Sequence, residues 1–233
     1  DLVRSRGLGD VYKRQVQVPP LGAVDVDRAP AVAAIADCIQ VGHSRVAGAS
    51  QAADDGAGGA VAVAEDVGAR AAAAVDSLIH AEVEAALASD LNVLLCVGES
   101  AEERGGGTFA QQAPRVRAVL NSQLTTNLAG LPEMLHGKRV VIGYEPVWAI
   151  GPGKTPPGSE YISFVSAHIR QVVREEFGYQ VNVVYGGGLK EENASMIAAI
   201  ETIGGGLVAL TRFSGEIGFD VPGLNRIVEK YIH

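Results

Sequence analysis

A glutamate closes the β-branched run Val140-Val141-Ile142-Gly143-Tyr144-Glu145, and Pro146 turns the chain at once into Val147-Trp148-Ala149-Ile150-Gly151-Pro152-Gly153-Lys154. A strand that ends there presents a carboxyl group at its tip, where it can take a proton from a bound molecule. The plain alternative is a solvated loop acid. A histidine sits in a comparable place, in Gly42-His43-Ser44 after the apolar stretch 37–41. Taken alone, a histidine at a strand end is more often structural than functional. Two glycine triplets, Gly186-Gly187-Gly188 and Gly204-Gly205-Gly206, adjoin further apolar runs. Such turns let backbone N–H groups approach an anion without interference from side chains.

Those residues need strands to carry them and helices to space the strands. Residues 37–41, 92–97, 139–143, 181–185 and 206–210 read as strands. Helical spacing links Val75, Leu78, Ile79, Val83, Ala86 and Leu87, then Val116, Leu120 and Leu124, then Ile162, Val165, Ile169 and Val172. Ser159 is a candidate cap for the third of these helices, and Gly178 lies just past its end. Residues 190–200 read as another helix. Pro222 to Tyr231 is expected to close the series by burying Leu224, Ile227 and Val228. Residues 48–59, rich in Ala, Gly, Ser and Asp, read as a loop. A short helix over 29–36 has Pro30 in its first turn, and 16–26 carries a strand fragment interrupted by Pro19-Pro20. Five strand-then-helix units run from residue 37 onward, the alternation of an α/β fold with a parallel sheet.

The segment Tyr144-Glu145-Pro146-Val147-Trp148-Ala149-Ile150-Gly151, continued by Gly153-Lys154-Thr155, closely resembles the catalytic strand and mobile lid of the triosephosphate isomerase family. That resemblance implies Glu145 as catalytic base. It also implies a lid starting at Pro146, Val147, Trp148, Ala149 and Ile150, with Gly151 donating its N–H to a substrate phosphate. Gly42-His43-Ser44 matches the family's electrophilic histidine, Cys96-Val97-Gly98-Glu99 the end of its next strand, and Tyr185-Gly186-Gly187 its phosphate loop. Gly187, Gly188, Ala209 and Leu210 are then the implied phosphate-binding positions, and Tyr185 the implied partner of the closed lid. There are departures. Arg45 follows Ser44 where an acid is usual, Gly188 stands for a serine, and Ala209-Leu210 replace a glycine pair. Nothing matches the family's Asn-x-Lys-Met element, and Lys13 is not assigned its role. Arg212 either sets a charged fork beside the phosphate or pairs with an acid.

A formal charge of −8 over 233 residues, with Lys and Arg scattered, argues against nucleic acid as a partner. Cys38 and Cys96 lie in apolar runs, so buried thiols in a reducing compartment are expected rather than a disulfide framework. No run is long enough to span a membrane, and no signal-peptide core is visible near residue 1, so the cytoplasm is the expected location. Residues 1–15 differ in composition from the remainder of the chain and read as a non-native or flexible leader, with one domain over 16–233.

The fold implied by the resemblance is a TIM (β/α)8 barrel lacking recognisable counterparts of its first one or two βα units. The implied activity is an aldose-ketose isomerisation interconverting dihydroxyacetone phosphate and glyceraldehyde 3-phosphate, with His43 and Glu145 catalytic and no metal or cofactor. Two alternatives stay open: an isomerase of another short ketose phosphate such as a tetrulose phosphate, and an inactive sugar-phosphate binder. A homodimer is possible by the same resemblance.

Overall fold

A computed structural model describes residues 75–132, 139–151, 153–212 and 218–232, together with the backbone of 38–41. The expected leader, the 16–26 and 29–36 segments, His43 and the 48–59 loop lie outside the described residues. The described strands are β1 (Cys38–Val41), β2 (Asn92–Val97), β3 (Val140–Tyr144), β4 (Asn182–Tyr185) and β5 (Gly205–Gly206). They form a parallel sheet in chain order, with Ile39 opposite Val93, Leu95 opposite Ile142, Gly143 opposite Val184 and Tyr185 opposite Gly206. Parallel neighbours require a crossover for each return. Helices α1 (residues 75–88), α2 (Ala101–Arg104), α3 (Phe109–Leu128), α4 (Ser159–Phe177), α5 (Ala194–Ala198) and α6 (Val221–Ile232) lie in those connections and after the last strand. This is the α/β architecture of a TIM-type barrel, seen here over five strands.

Strand β2 is apolar from Val93 to Val97, where both of its faces are covered. Val93, Leu95 and Val97 belong to the large core that also holds Ile142, Tyr144, Val183 and Tyr185 from the neighbouring strands. The helices contribute Leu120 and Leu124 from α3 and Ile162, Val165 and Ile169 from α4, all fully buried. Truncating one of these leucines or isoleucines to alanine costs about 2–5 kcal/mol. The other face is a smaller apolar layer of Leu94, Cys96 and Val184, with Val141 and Leu207 against it. Side chains alternate along a strand, so 141, 143 and 145 share that inner face. Cys96 is a buried thiol outside any disulfide, as expected.

Several boundaries differ from expectation for local reasons. Ser159 is the first residue of α4 and not its cap; Gly158 holds that position without a side-chain bond. Gly178 does terminate α4 in the left-handed conformation, its N–H donating to Arg174 O. Residues 190–193 form a turn instead of helix, because Asn193 Oδ1 accepts from Lys190 N at 2.8 Å and its Nδ2 donates to Gly188 O. Strand β5 stops at Gly206, so Ala209 and Leu210 lie beyond it. Helix α6 buries Gly223, Ile227 and Tyr231, leaving Leu224 and Val228 half-buried. Gly223 faces Thr211 too closely for any larger residue, which rotates the buried stripe toward it. Helix α2 was not expected. It starts at a capping box in which Ser100 Oγ accepts from Glu103 N while Glu103 Oε2 accepts from Ser100 N.

Candidate active site at the strand ends

Glu145 directly follows β3, its N–H donating to Val97 O at 2.8 Å. The alternation of β3 carries its side chain over the inner layer at the C-terminal end of the sheet, the end at which barrel enzymes assemble their sites. Two glycines make room for it. A Cβ on Gly186 would lie 2.7 Å from Glu145 Cγ and 2.8 Å from its Oε1, so the carboxyl rests directly on the start of the glycine loop. Leu207 Cδ1 closes the same space at 3.0 Å. Gly98, at the end of β2, passes so close to the Glu145 carbonyl that no side chain fits. That close approach is locked from α3, where buried Gln123 accepts from Gly98 N at 2.9 Å and donates back to Gly98 O at 3.0 Å.

The electrostatic consequence is large. Burial against apolar neighbours pushes the Glu145 carboxyl up to about 7, while a hydrogen bond with the Cys96 thiol below it works in the opposite sense. A carboxyl poised there is a far stronger base when ionised than an exposed glutamate, and is substantially ionised near neutrality.

Around it the glycine loop and the segment from Pro146 to Ile150 pack together. Gly186 N donates to Tyr144 O at 2.9 Å, extending the β3–β4 pairing by one residue. Pro146 packs over Gly187, and the Tyr185 hydroxyl donates to Gly187 O at 2.7 Å. The Tyr185 hydroxyl is thus engaged within its own loop in this structure. Gly188 has φ +89°, a conformation that favours glycine over the serine usual in the family. Val147–Ala149 form one 3-10 turn, and Gly151 follows at φ +112°. Ala209 is exposed and Leu210 half-buried. Arg212 pairs with Asp220, Nε to Oδ2 at 3.4 Å, and the same carboxylate accepts from Thr211 Oγ1 and, through Oδ1, from Gly223 N at the start of α6. The guanidinium is therefore occupied by an acid, the second of its two expected roles.

One residue that the sequence marks only as part of the Cys96-Val97-Gly98-Glu99 motif, with no role of its own, is central. Glu99, fully buried beyond β2, accepts from Trp148 Nε1 at 2.7 Å, Tyr161 Oη at 2.7 Å and Tyr144 Oη at 3.2 Å, all on Oε1. Its backbone carbonyl also accepts from Val147 N at 3.1 Å. Burial, and then the charge of Glu99, hold the hydroxyls of Tyr144, Tyr161 and Tyr185 well above their usual range, so these groups remain donors. The Arg104 guanidinium lies over the Trp148 ring at 3.7 Å from its centroid. The signal for it was the Cys96-Val97-Gly98-Glu99 motif, an acid two residues past a strand and just ahead of a capping box.

With this geometry in view, comparison with known proteins is informative. The family model for triosephosphate isomerase matches residues 69–217, more than half of the chain. The chain belongs to the triosephosphate isomerase family. Among similar proteins are the triosephosphate isomerases of Treponema pallidum, 39% identical over 138 residues, and of Alkaliphilus metalliredigens, 38% identical over 138 residues. That of Oleidesulfovibrio alaskensis is 38% identical over 125 residues. These alignments take in 57%, 57% and 52% of this chain and 51%, 52% and 47% of the respective relative, so the chain spans about half the length of the curated relatives it matches. Glu145, residues 146–151, the glycine loop and Ala209-Leu210 all fall within the stretch matched by the triosephosphate isomerase model, and His43 precedes it. Among the described residues, no helix is long and apolar enough to cross a membrane.

Proposed function

We propose that this chain is an aldose-ketose isomerase that interconverts dihydroxyacetone phosphate and glyceraldehyde 3-phosphate through an enediolate. The observation that carries the proposal is the Glu145 carboxyl, desolvated over Gly186 at the strand ends and titrating near neutrality. In this reading Glu145 takes a proton from the carbon beside the substrate carbonyl. His43, neutral, donates a hydrogen bond to the carbonyl oxygen as negative charge moves onto it. Glu145 then returns the proton to the neighbouring carbon, while the hydroxyl proton passes from the oxygen that becomes the new carbonyl to the oxygen of the old one, so the isomerisation balances with no atom gained or lost. The N–H groups of Gly151, Gly187, Gly188, Ala209 and Leu210 receive the phosphate. The lid from Pro146 to Ile150 excludes water during the transfer. Family membership supports the assignment of roles, and by the same membership we propose a homodimer working in the cytoplasm.

A second reading, a short ketose phosphate other than a triose phosphate, draws on the phosphate edge. Ala209 and Leu210 add side chains where the family has a glycine pair, and Arg212 is held on Asp220 instead of projecting freely. A third reading, an inactive sugar-phosphate binder, draws on the unmatched Asn-x-Lys-Met element. One assay separates the three: turnover of dihydroxyacetone phosphate coupled to a dehydrogenase, beside a tetrulose phosphate, with Glu145→Ala as control. Turnover of the triose phosphate that falls by about 10²–10⁴-fold in the variant supports the isomerase. Ligand-induced thermal stabilisation with equal, negligible turnover in both proteins establishes the binder.

A further inference from the structure

The lid leaves the sheet at Pro146 and rejoins regular structure at α4, and both of its ends converge on one carboxylate. Trp148 comes from the outgoing end, and Tyr161, in the first turn of α4, comes from the returning end. They meet as a T-shaped ring pair with centroids 5.7 Å apart, and both donate to Glu99 Oε1 at 2.7 Å. We propose that Tyr161 is a positioning residue for the lid: by sharing Glu99 with Trp148, it pins the two lid ends to each other and to the end of β2. The effect on turnover rests on the isomerase reading above; the pinning itself does not.

Three features make this arrangement more than core packing. Glu99 has no solvent exposure, so each hydrogen bond to it replaces water that cannot enter. Arg104 supplies the compensating charge through the face of the Trp148 ring, and its buried Nε makes no hydrogen bond. The indole is thus held at its edge by an anion and on its face by a cation. The Tyr161 ring also contacts Phe109 of α3, at 5.7 Å between centroids, and Phe109 in turn meets Phe164 of α4 edge-on at 5.0 Å. The ring is therefore seated independently of its hydroxyl. Removing only the hydroxyl isolates the pin.

Trp148 is the chain's single tryptophan, so its fluorescence reports the seat directly. In Tyr161→Phe, loss of a hydrogen bond to a buried charge increases the unseated fraction of Trp148 by about tenfold. The expected readings are a higher acrylamide quenching constant and faster local anisotropy decay, with the melting temperature near that of the parent. With dihydroxyacetone phosphate, KM rises and kcat changes less, because saturating substrate draws the lid back to its seated state. Unchanged quenching and anisotropy in Tyr161→Phe would overturn the proposal, as would a fall in melting temperature with kcat and KM untouched. If that variant does not fold, Arg104→Lys keeps the cation, loses the planar group over the indole, and is expected to raise quenching in the same way. An inactive parent protein would count against the isomerase reading alone, since the fluorescence measurements need no turnover.

Discussion

Replacing Glu145 by glutamine should make the protein more stable, and increasingly so as pH rises. The carboxyl titrates near 7 in the folded chain against 4.5 when unperturbed. Below 4.5 it is protonated in both folded and unfolded states and contributes no difference. Between 4.5 and 7 the unfolded chain has released the proton and the folded chain still holds it, so the folded state binds more protons and its stability falls as pH rises. Above 7 both are ionised and the penalty is complete. At about 1.4 kcal/mol per pH unit of separation, it amounts to up to about 3 kcal/mol.

Glutamine is nearly isosteric and neutral at every pH, so Glu145→Gln abolishes the penalty while keeping the packing over Gly186. Urea unfolding followed by far-ultraviolet circular dichroism at pH 5, 6, 7 and 8 measures it. The gap between variant and parent should open across that range and level off near pH 8, as a shift in midpoint at constant slope. A gap that does not depend on pH would show that water reaches the carboxyl in the free protein. Burial would then not be the cause of its raised affinity for a proton, and the argument for a desolvated base would fail.

The same titration governs turnover: kcat/KM for dihydroxyacetone phosphate should rise with pH through a midpoint near 7, and a midpoint near 4.5 would refute a desolvated base. Gly186→Ala puts a methyl group where Glu145 Cγ, Glu145 Oε1 and Leu207 Cδ1 already lie, at 2.7, 2.8 and 3.0 Å. It should lower kcat by about 10²-fold by displacing the base roughly 1 Å, with the fold retained by circular dichroism. Gln123→Leu strips both hydrogen bonds from the Gly98 peptide and leaves a buried donor and acceptor unpaired. The expected cost is about 2–5 kcal/mol in urea unfolding.

How much could be read from the chain in advance depends on where each signal is stored. The strand Asn92–Val97 was legible residue for residue because a doubly covered parallel strand writes its burial into a continuous apolar run, here Val93 to Val97. Helices α3 and α4 were legible through one periodic apolar face each. Strand β5 and the 190–193 turn were not, for opposite reasons. Glycines at 204–206 carry no side-chain pattern to mark an end, and Asn193 diverts the backbone through two side-chain bonds that no periodicity encodes. The place of Glu145 at the end of a strand was legible because an apolar run, a glutamate and a proline are contiguous there.

The cluster around Glu99 was illegible for the complementary reason. Glu99, Tyr144, Trp148 and Tyr161 come from the end of β2, from β3, from the 3-10 turn and from α4, and nothing along the chain announces that their polar atoms meet. Yet the two acids arise from one construction. The ends of β2 and β3 lie side by side, and each is followed by a glutamate, Glu99 one residue beyond Gly98 and Glu145 directly after Tyr144. Glu99 meets three donors, while Glu145 meets glycine, leucine and a thiol. The alternation of strand faces sends the Glu99 carboxylate toward the helices and the Glu145 carboxyl over the inner layer, where desolvation raises its affinity for a proton. A slip of one residue in the β2–β3 register would turn one strand over and put both carboxyl groups on one face, so the pairing of Val97 with Tyr144 keeps their environments apart.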